Sequence, residues 1–462
     1  MSETVSPHAD PTPEVRPARP PRPRASLAVA MLGFFVVALD AQIVNVALPS
    51  IRDELGGGLS GLQWVVTGYT LMFSALQLFG GSMSDRIGAR RAYGIGMAVF
   101  VLGSAACGAA PTLPVLIAGR VVQGIGAAMI TPTSLALIRE AYHDAVQRGR
   151  AITYWALGGS VAAAAGPVLG GVLTQFDWRW IFLVNLPVGV IALVVLARVA
   201  PSPRRIAPFD WAGQISAIAA LGGLTFGIIE GGTLGYGAPE VLAAFALAAV
   251  GAVVFLLAQA RGRHPMMPLD LFRSTTVSTG LGIAFVTMAA FYGIVFVQSL
   301  YFQEQRGATA LVTGLLFLPM TGMVALLNPF VARAMERLGK IVTTIGGVLM
   351  MVIGLIGLAV IPADAPVLVA ALLMVPVGLG GSFTVPPLTA LIMDHVPADR
   401  AGTASGVLNT ARQMGGSLGI AIFGAVLAVQ PAFQTGLRAD YIVAAAILVV
   451  LAAFALRLRK AA

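Results

Sequence analysis

Between residues 26 and 456 the sequence runs as long apolar stretches separated by short polar ones. Fourteen such stretches can be placed, at about 26–48, 61–80, 92–110, 113–138, 151–173, 180–199, 211–230, 239–259, 275–298, 309–331, 341–361, 366–391, 402–428 and 439–456. Each is about 20 residues long. At 1.5 Å of rise per residue, such a helix crosses the roughly 30 Å hydrocarbon core of a bilayer. The stretch from Ser26 to Leu48 is too long for a cleaved signal peptide and is expected to stay as the first helix. Residues 1–25 are rich in Pro and Arg, lack apolar periodicity and read as a disordered tail. The expected fold class is an all-α, multi-pass membrane protein with fourteen transmembrane helices.

The chain also repeats itself. Met83-Ser84-Asp85-Arg86-Ile87-Gly88 is echoed by Ala334-Met335-Glu336-Arg337-Leu338-Gly339, 251 residues on. Both copies follow the second helix of a six-helix block. The organisation expected is a six-helix bundle over 26–199, a linker with two extra helices over 200–274, and a second six-helix bundle over 275–457. Parallel halves around an axis normal to the membrane are a transporter architecture, with the substrate site at their interface near the midplane.

Composition supports this. Of 462 residues, 57% are apolar and 11% charged, and mean hydropathy is +0.87. A soluble domain could not hide so much apolar surface. A net charge of +9 would suggest nucleic acid in a soluble protein. Here it reads as orientation charge on loops, with the bilayer rather than nucleic acid as partner. With both termini on the cytoplasmic side, 23 of the 29 Lys and Arg residues fall on inner segments. Four (Arg52, Arg179, Arg306, Arg438) fall on outer loops, and Arg120 and Arg412 lie inside spans. Arginine outnumbers lysine 27 to 2, which with the Ala, Gly and Pro excess points to a GC-rich bacterial genome and so to a bacterial cytoplasmic membrane. The one cysteine, Cys107, allows no intrachain disulfide. The four histidines are far apart, so no metal site is expected. No GxxxxGK[ST] loop is present, and Gly124–Gly126 lies within an apolar run rather than after a strand, so neither nucleotide nor other cofactor is expected. No catalytic constellation suggests an enzyme.

Asp40 is read as the lone carboxylate well inside a span. It lies about 12 Å below the outer end of the first helix, and Arg120 lies about 10 Å below the outer end of the fourth. The matched depths allow a static structural pair or a proton site. In the second case a carboxylate holds its charge beside an arginine and takes up a proton on leaving it for apolar surroundings. A 251-residue offset puts Phe291 opposite Asp40 and Ala371 opposite Arg120, so proton chemistry is expected in the first half alone.

Several stretches together resemble the fourteen-helix drug:proton antiporter branch of the major facilitator superfamily. Leu39–Pro49 (LDAQIVNVALP) resembles LDxTIVNVALP, with Gln42 in place of Thr. Gly81–Arg91 (GSMSDRIGARR) resembles the loop GxLaDrxGrk, with Ala89 where a basic residue is usual. Arg120–Ala128 (RVVQGIGAA) is similar to RxxqGxgaa, Gly166–Gly171 (GPVLGG) to the antiporter motif, and Trp178–Pro187 (WRWIFLVNLP) to the entry of the sixth helix. His264–Phe272 (HPMMPLDLF) resembles the segment after the inserted helices. The resemblance covers nearly the whole chain. It implies a monomeric efflux transporter that exchanges small amphipathic drugs, antibiotics or natural products for protons by alternating access, driven by the proton gradient without a cofactor. It implies proton coupling at Asp40 and Arg120.

For the loop, an inner gate of Asp85, Arg86, Arg90 and Glu140 is expected, facing the start of the thirteenth helix near Gly402; the alternative is a tight topogenic turn. Gly166, Pro167, Gly170 and Gly171 combine missing side chains with a missing backbone donor. They suit a seal or bend between the halves, or plain close packing. Asn45, Tyr69, Gln123, Gln298, Asn328 and Arg412 are candidates for the substrate cavity, each also able to serve as an interhelical hydrogen bond. Arg412, about 15 Å from the inner face, suits either an anionic or polar substrate group or the carbonyls of a Gly-rich neighbour. Two other functions fit the same residues: a proton-coupled importer of a small metabolite, and a transport-inactive membrane scaffold or sensor.

Overall fold

The computed structural model describes residues 22–204, 209–397 and 400–461, without the side chains of 328, 329 and 457–461. Most of the expected tail, residues 1–21, lies outside the described residues. The described chain is helical throughout: α1 (Pro23–Ile43), α2 (Leu48–Leu55), α3 (Leu59–Ile87), α4 (Ala89–Gly108), α5 (Leu113–Ala141), α6 (Ala145–Thr174), α7 (Trp180–Leu183), α8 (Asn185–Leu196), α9 (Trp211–Leu234), α10 (Pro239–Arg261), α11 (Thr275–Leu300), α12 (Ala310–Leu338), α13 (Lys340–Val360), α14 (Val367–Asp394), α15 (Ala401–Val429) and α16 (Phe433–Ala461).

The punctuation is local. Asp144 and Asp210 cap α6 and α9, each accepting a backbone N–H three residues on, at 2.8 Å. The repeated loops end alike. Gly88 (φ 89°) and Gly339 (φ 82°) close α3 and α12 in a left-handed conformation that a side chain would strain. Pro49 has no N–H to give the carbonyl of Asn45, and Val44–Ala47 tightens into a 3-10 turn between α1 and α2.

Twelve helices among the described residues are long and apolar enough to cross a membrane. Every expected run holds a helix, yet two fail that measure, so the count of fourteen is not reached on it. The run at 61–80 lies in α3, where buried Gln63, Thr67, Thr70, Ser74 and Gln77 dilute the hydropathy. The run at 180–199 is broken into α7 and α8, because Pro187 cannot bond back to Leu183. The last run begins earlier than expected, at Phe433 rather than about 439.

Two bundles result. In the first, α4 and α3 pack on α5, and α1 packs on α6. In the second, α13 packs on α14 and α16, and α11 on α15. The inserted α9 and α10 form a hairpin whose first helix lies against both α3 and α15. Two helix pairs join the bundles, α6 with α12 and α3 with α15.

Candidate functional site

The α4–α5 and α3–α5 contacts are close because glycines line them. A Cβ on Gly126 would come within 2.5 Å of the Phe100 nitrogen, and one on Gly124 would collide with the Tyr69 carbonyl. This packing brings the polar residues of α1, α3, α4, α5 and α8 to one point. Arg120 Nη1 donates to Asp40 Oδ2 at 2.5 Å and to Gln123 Oε1 at 2.9 Å, while its Nε donates to the Val65 carbonyl at 2.9 Å. The other Asp40 oxygen accepts from Gln123 Nε2 at 3.1 Å and from Asn185 Nδ2 at 2.8 Å. Ser104 Oγ accepts from the same two amides. The Tyr69 ring lies under the guanidinium, 4.5 Å from its centroid, and the Tyr69 hydroxyl donates to the Val37 carbonyl. Asp40, Arg120, Gln123, Asn185 and Tyr69 are all fully buried. The site is thus a closed, nearly satisfied charge pair; Arg120 Nη2 alone among the guanidinium nitrogens has no acceptor. The carboxylate has a cation on one oxygen and two neutral amides on the other, so it can shed the arginine and keep partners.

The four residues Asp40, Arg120, Tyr69 and Gln123 were legible in the sequence and meet here. Asn185 and Ser104 were not among the candidates. Both are small polar residues in apolar runs, and only the WRWIFLVNLP similarity touched Asn185. The expectation that Asp40 is the lone deep carboxylate does not hold. Asp440, in α16, is 3% exposed, and its Oδ2 has no hydrogen-bond partner. It sits eleven residues past the end of α15, as Asn185 sits eleven past the end of α6. The register opposite Arg120 also shifts. α5 starts at Leu113 and α14 at Val367, which places Met374 rather than Ala371 at the height of Arg120. Both are apolar.

The glycine-proline motif lies where three elements meet. A Cβ on Gly166 would reach 2.8 Å from the Gln42 Cβ, one on Gly170 2.6 Å from the Ile43 carbonyl, and one on Gly171 2.6 Å from the Ala310 carbonyl of α12. The Pro167 carbonyl abuts Gly314. The seam continues beside it. Ser299 Oγ donates to the freed Asn45 carbonyl at 2.6 Å, Gln303 to the Val46 carbonyl, and Arg52 pairs with Glu304 at 3.0 Å. On α3, Gln63 Nε2 donates to the Ile420 and Ala421 carbonyls of α15. The two bundles are therefore closed at the end carrying the Gly56 turn. Toward the other end, the α6 stripe that touches α12 at Ala164 and Gly171 continues as Val161 and Leu157, which are 48% and 54% exposed.

At the Gly88 end the four gate candidates do not pair with one another. Asp85 is exposed and in no ion pair among the described residues. Arg86 stacks on Phe209. Arg90 donates to the Leu196 and Ala197 carbonyls, and its N–H reaches Ser202, whose hydroxyl donates to Glu140 at 2.5 Å. Arg400, at the start of α15, pairs with Asp270 of the HPMMPLDLF segment.

Of the remaining candidates, Asn45 bonds its own helix through Nδ2 and leaves Oδ1 unpartnered. Gln298 is buried with Oε1 unpartnered. The side chain of Asn328 lies outside the described residues. Arg412 is partly buried in α15, its Nε without an acceptor.

Residues 30–420 match the model of the Major Facilitator Superfamily. The chain is 39% identical to "Multidrug resistance protein Stp" of Mycobacterium tuberculosis, over 87% of this chain and 75% of that protein. It is 36% identical to "Methylenomycin A resistance protein" of Bacillus subtilis, over 89% of each. It is 32% identical to "Tetracenomycin C resistance and export protein" of Streptomyces glaucescens, over 88% of this chain and 76% of that protein. Among solved structures, a peptide transporter superposes with a TM-score of 0.72 at 15% identity, covering 95% of this chain and 97% of that one. A D-xylose-proton symporter gives 0.68 at 16%, covering 94% and 97%. At such identity these two speak for the fold.

Proposed function

The chain belongs to the Major Facilitator Superfamily, and from this premise we propose that it is a monomeric proton antiporter that exports small amphipathic drugs, antibiotics or natural products across a bacterial cytoplasmic membrane. The names of the relatives, which speak of multidrug resistance, methylenomycin A resistance and tetracenomycin C export, support export of such compounds. The observation that carries proton coupling is the sealed pair of Asp40 and Arg120. In this reading the Gly56 end is the outer face and the Gly88 end the cytoplasmic face. The positive-inside bias of the loops supports that orientation.

The proposed cycle uses the chain's own groups. With the inner side open, a compound enters the seam between the bundles. Rocking moves α1 against α5 and separates Asp40 from Arg120. A carboxylate deprived of its cation in apolar surroundings takes up a proton from the outer side, while Gln123 and Asn185 hold its other oxygen. Re-forming the Arg120 pair on the return expels that proton inward. The pairing of Asp85, Arg86, Arg90 and Glu140, which stand apart here, is assigned to the outward-open form of the cycle. The glycine-proline stretch of α6 seals the outer seam between transfers.

The test uses everted membrane vesicles with a respiration-driven pH gradient, read by a fluorescent probe while dyes and antibiotics are added. Dissipation that requires both a compound and Asp40, and is lost in Asp40→Asn, is expected. Compound-induced dissipation that persists in Asp40→Asn would remove the carboxylate from the coupling step.

A further inference from the structure

Arg412 stands out among the charges inside the helices. Asp40 and Arg120 neutralise one another, and Glu230 accepts from the Trp64 indole. Arg412 makes no ion pair and no hydrogen bond among the described residues, and its Nε is buried without an acceptor. Its place is fixed by glycines. Gly415 packs against the backbone of Phe285, and Gly416 lies 3.0 Å, at its Cβ position, from the Tyr292 ring. These contacts bring α15 onto α11 and put Tyr292 next to Arg412. An unpaired guanidinium at this depth is costly. α15 also borders the first bundle, with Gly406 against Leu78 and Gly424 against Gln63 of α3, so Arg412, between them in the chain, lies at the level of the seam, near the Phe291–Tyr292 ring pair of α11.

We propose that Arg412 is the anchor for an anionic group of the substrate, so that this transporter prefers amphipathic acids, meaning carboxylates, phenolates or enolates on an apolar ring system, over lipophilic cations. The inference rests on the reading of the seam as the substrate cavity. A guanidinium takes a planar oxyanion through two parallel N–H···O bonds, which a lysine cannot reproduce. The rings take the apolar body. The carboxylates Asp40, Glu230 and Asp440 in the helices do not compete for it: Asp40 is bound to Arg120, Glu230 accepts from Trp64, and Asp440 is buried in α16. A cationic substrate would instead meet an uncompensated positive charge.

The test reads binding to purified protein in detergent, without a gradient, so failure of proton coupling leaves it untouched. Two probes share a xanthene skeleton and differ in charge: fluorescein, an anion, and tetramethylrhodamine ethyl ester, a cation. Fluorescence polarisation is expected to show saturable, tighter binding of fluorescein to the wild-type protein. Arg412→Gln should weaken fluorescein about tenfold or more and leave the rhodamine ester unchanged or tighter, with Arg412→Lys between. Arg412→Cys in a Cys107→Ala background, checked for folding by size exclusion, should be labelled by a water-soluble anionic methanethiosulfonate, as expected of a position open to the aqueous seam. Absence of saturable fluorescein binding, an equal effect of Arg412→Gln on both dyes, or an unreactive cysteine in folded protein would each overturn the proposal.

Discussion

Asn185 holds one Asp40 oxygen and Ser104 at once, so a side chain that no motif singled out helps set the geometry of the charge pair. Asn185→Ala should leave that oxygen to Gln123 alone and lower thermal stability by about 1–3 kcal/mol, the ordinary cost of stripping a partner from a buried polar group. If proton release depends on this support, the pH profile of transport should also move; unchanged stability and profile would make the amide incidental. Asp440 tests the opposite case. It is buried with no cation beside it among the described ion pairs, and a buried carboxylate without a cation is a cost to the fold. Asp440→Asn is expected to leave the unfolding temperature unchanged or raise it, whereas removal of a paired charge at Arg120 should lower it. The sequence showed Asp40 and Arg120 because a charge in an apolar run is conspicuous. It hid Asp440 because the polar stretch 434–440 seemed to precede the helix rather than begin it.

Among the elements, the interrupted helices are the informative ones. Pro49 frees the Asn45 carbonyl, and that carbonyl becomes an acceptor for Ser299 across the seam. In α6, Gly171 lets the Ala310 backbone approach. Gly171→Leu should hold α6 and α12 apart and reduce transport about tenfold or more while the protein stays folded, as measured by dye efflux and by size exclusion. Efflux at the wild-type rate would reduce the motif to ordinary packing. At the other end of the bundles, the segment before α11 is tied to α15. The Arg400 side chain bonds the exposed Asp270 carboxylate and holds its pKa below the usual carboxylate range. A lowered folded pKa means the contribution is complete above the unfolded value of about 3.9 and vanishes as pH falls through the folded one. The difference in melting temperature between wild type and Asp270→Asn, small for so exposed a pair, should therefore shrink below about pH 4.

For the whole molecule, closure at the Gly56 end is a property of the seam between bundles. Arg52 and Glu304 face each other across the closed end, 33% and 22% exposed. Cysteines at both positions in a Cys107→Ala background, joined through two disulfides by a short bis-methanethiosulfonate, should stop transport, and reduction should restore it. Transport that survives the crosslink would mean that this end does not open during turnover. The inserted hairpin bears on the same seam. α9 lies against both α3 and α15, through Gln214 to the Ala75 carbonyl and through Gly232 to Ala425. It thus covers one of the two helix pairs that join the bundles, and leaves the α6–α12 pair uncovered by the insert.

Length and spacing of apolar runs determined the helices by themselves, because a chain in lipid must satisfy its backbone within each span. The same physics made the 251-residue echo readable, since both copies end in a turn that only glycine adopts easily. Matched depth allowed Asp40 and Arg120 to meet, as rise per residue is fixed in a helix. Rotation about each helix axis was not in the pattern, for runs apolar all round carry no facing information. Packing alone therefore decided that Asn185 and Ser104 complete the site, that Asp440 is buried without a hydrogen bond to one of its oxygens, that Arg412 meets Tyr292 rather than an acid, and which end of the seam is closed.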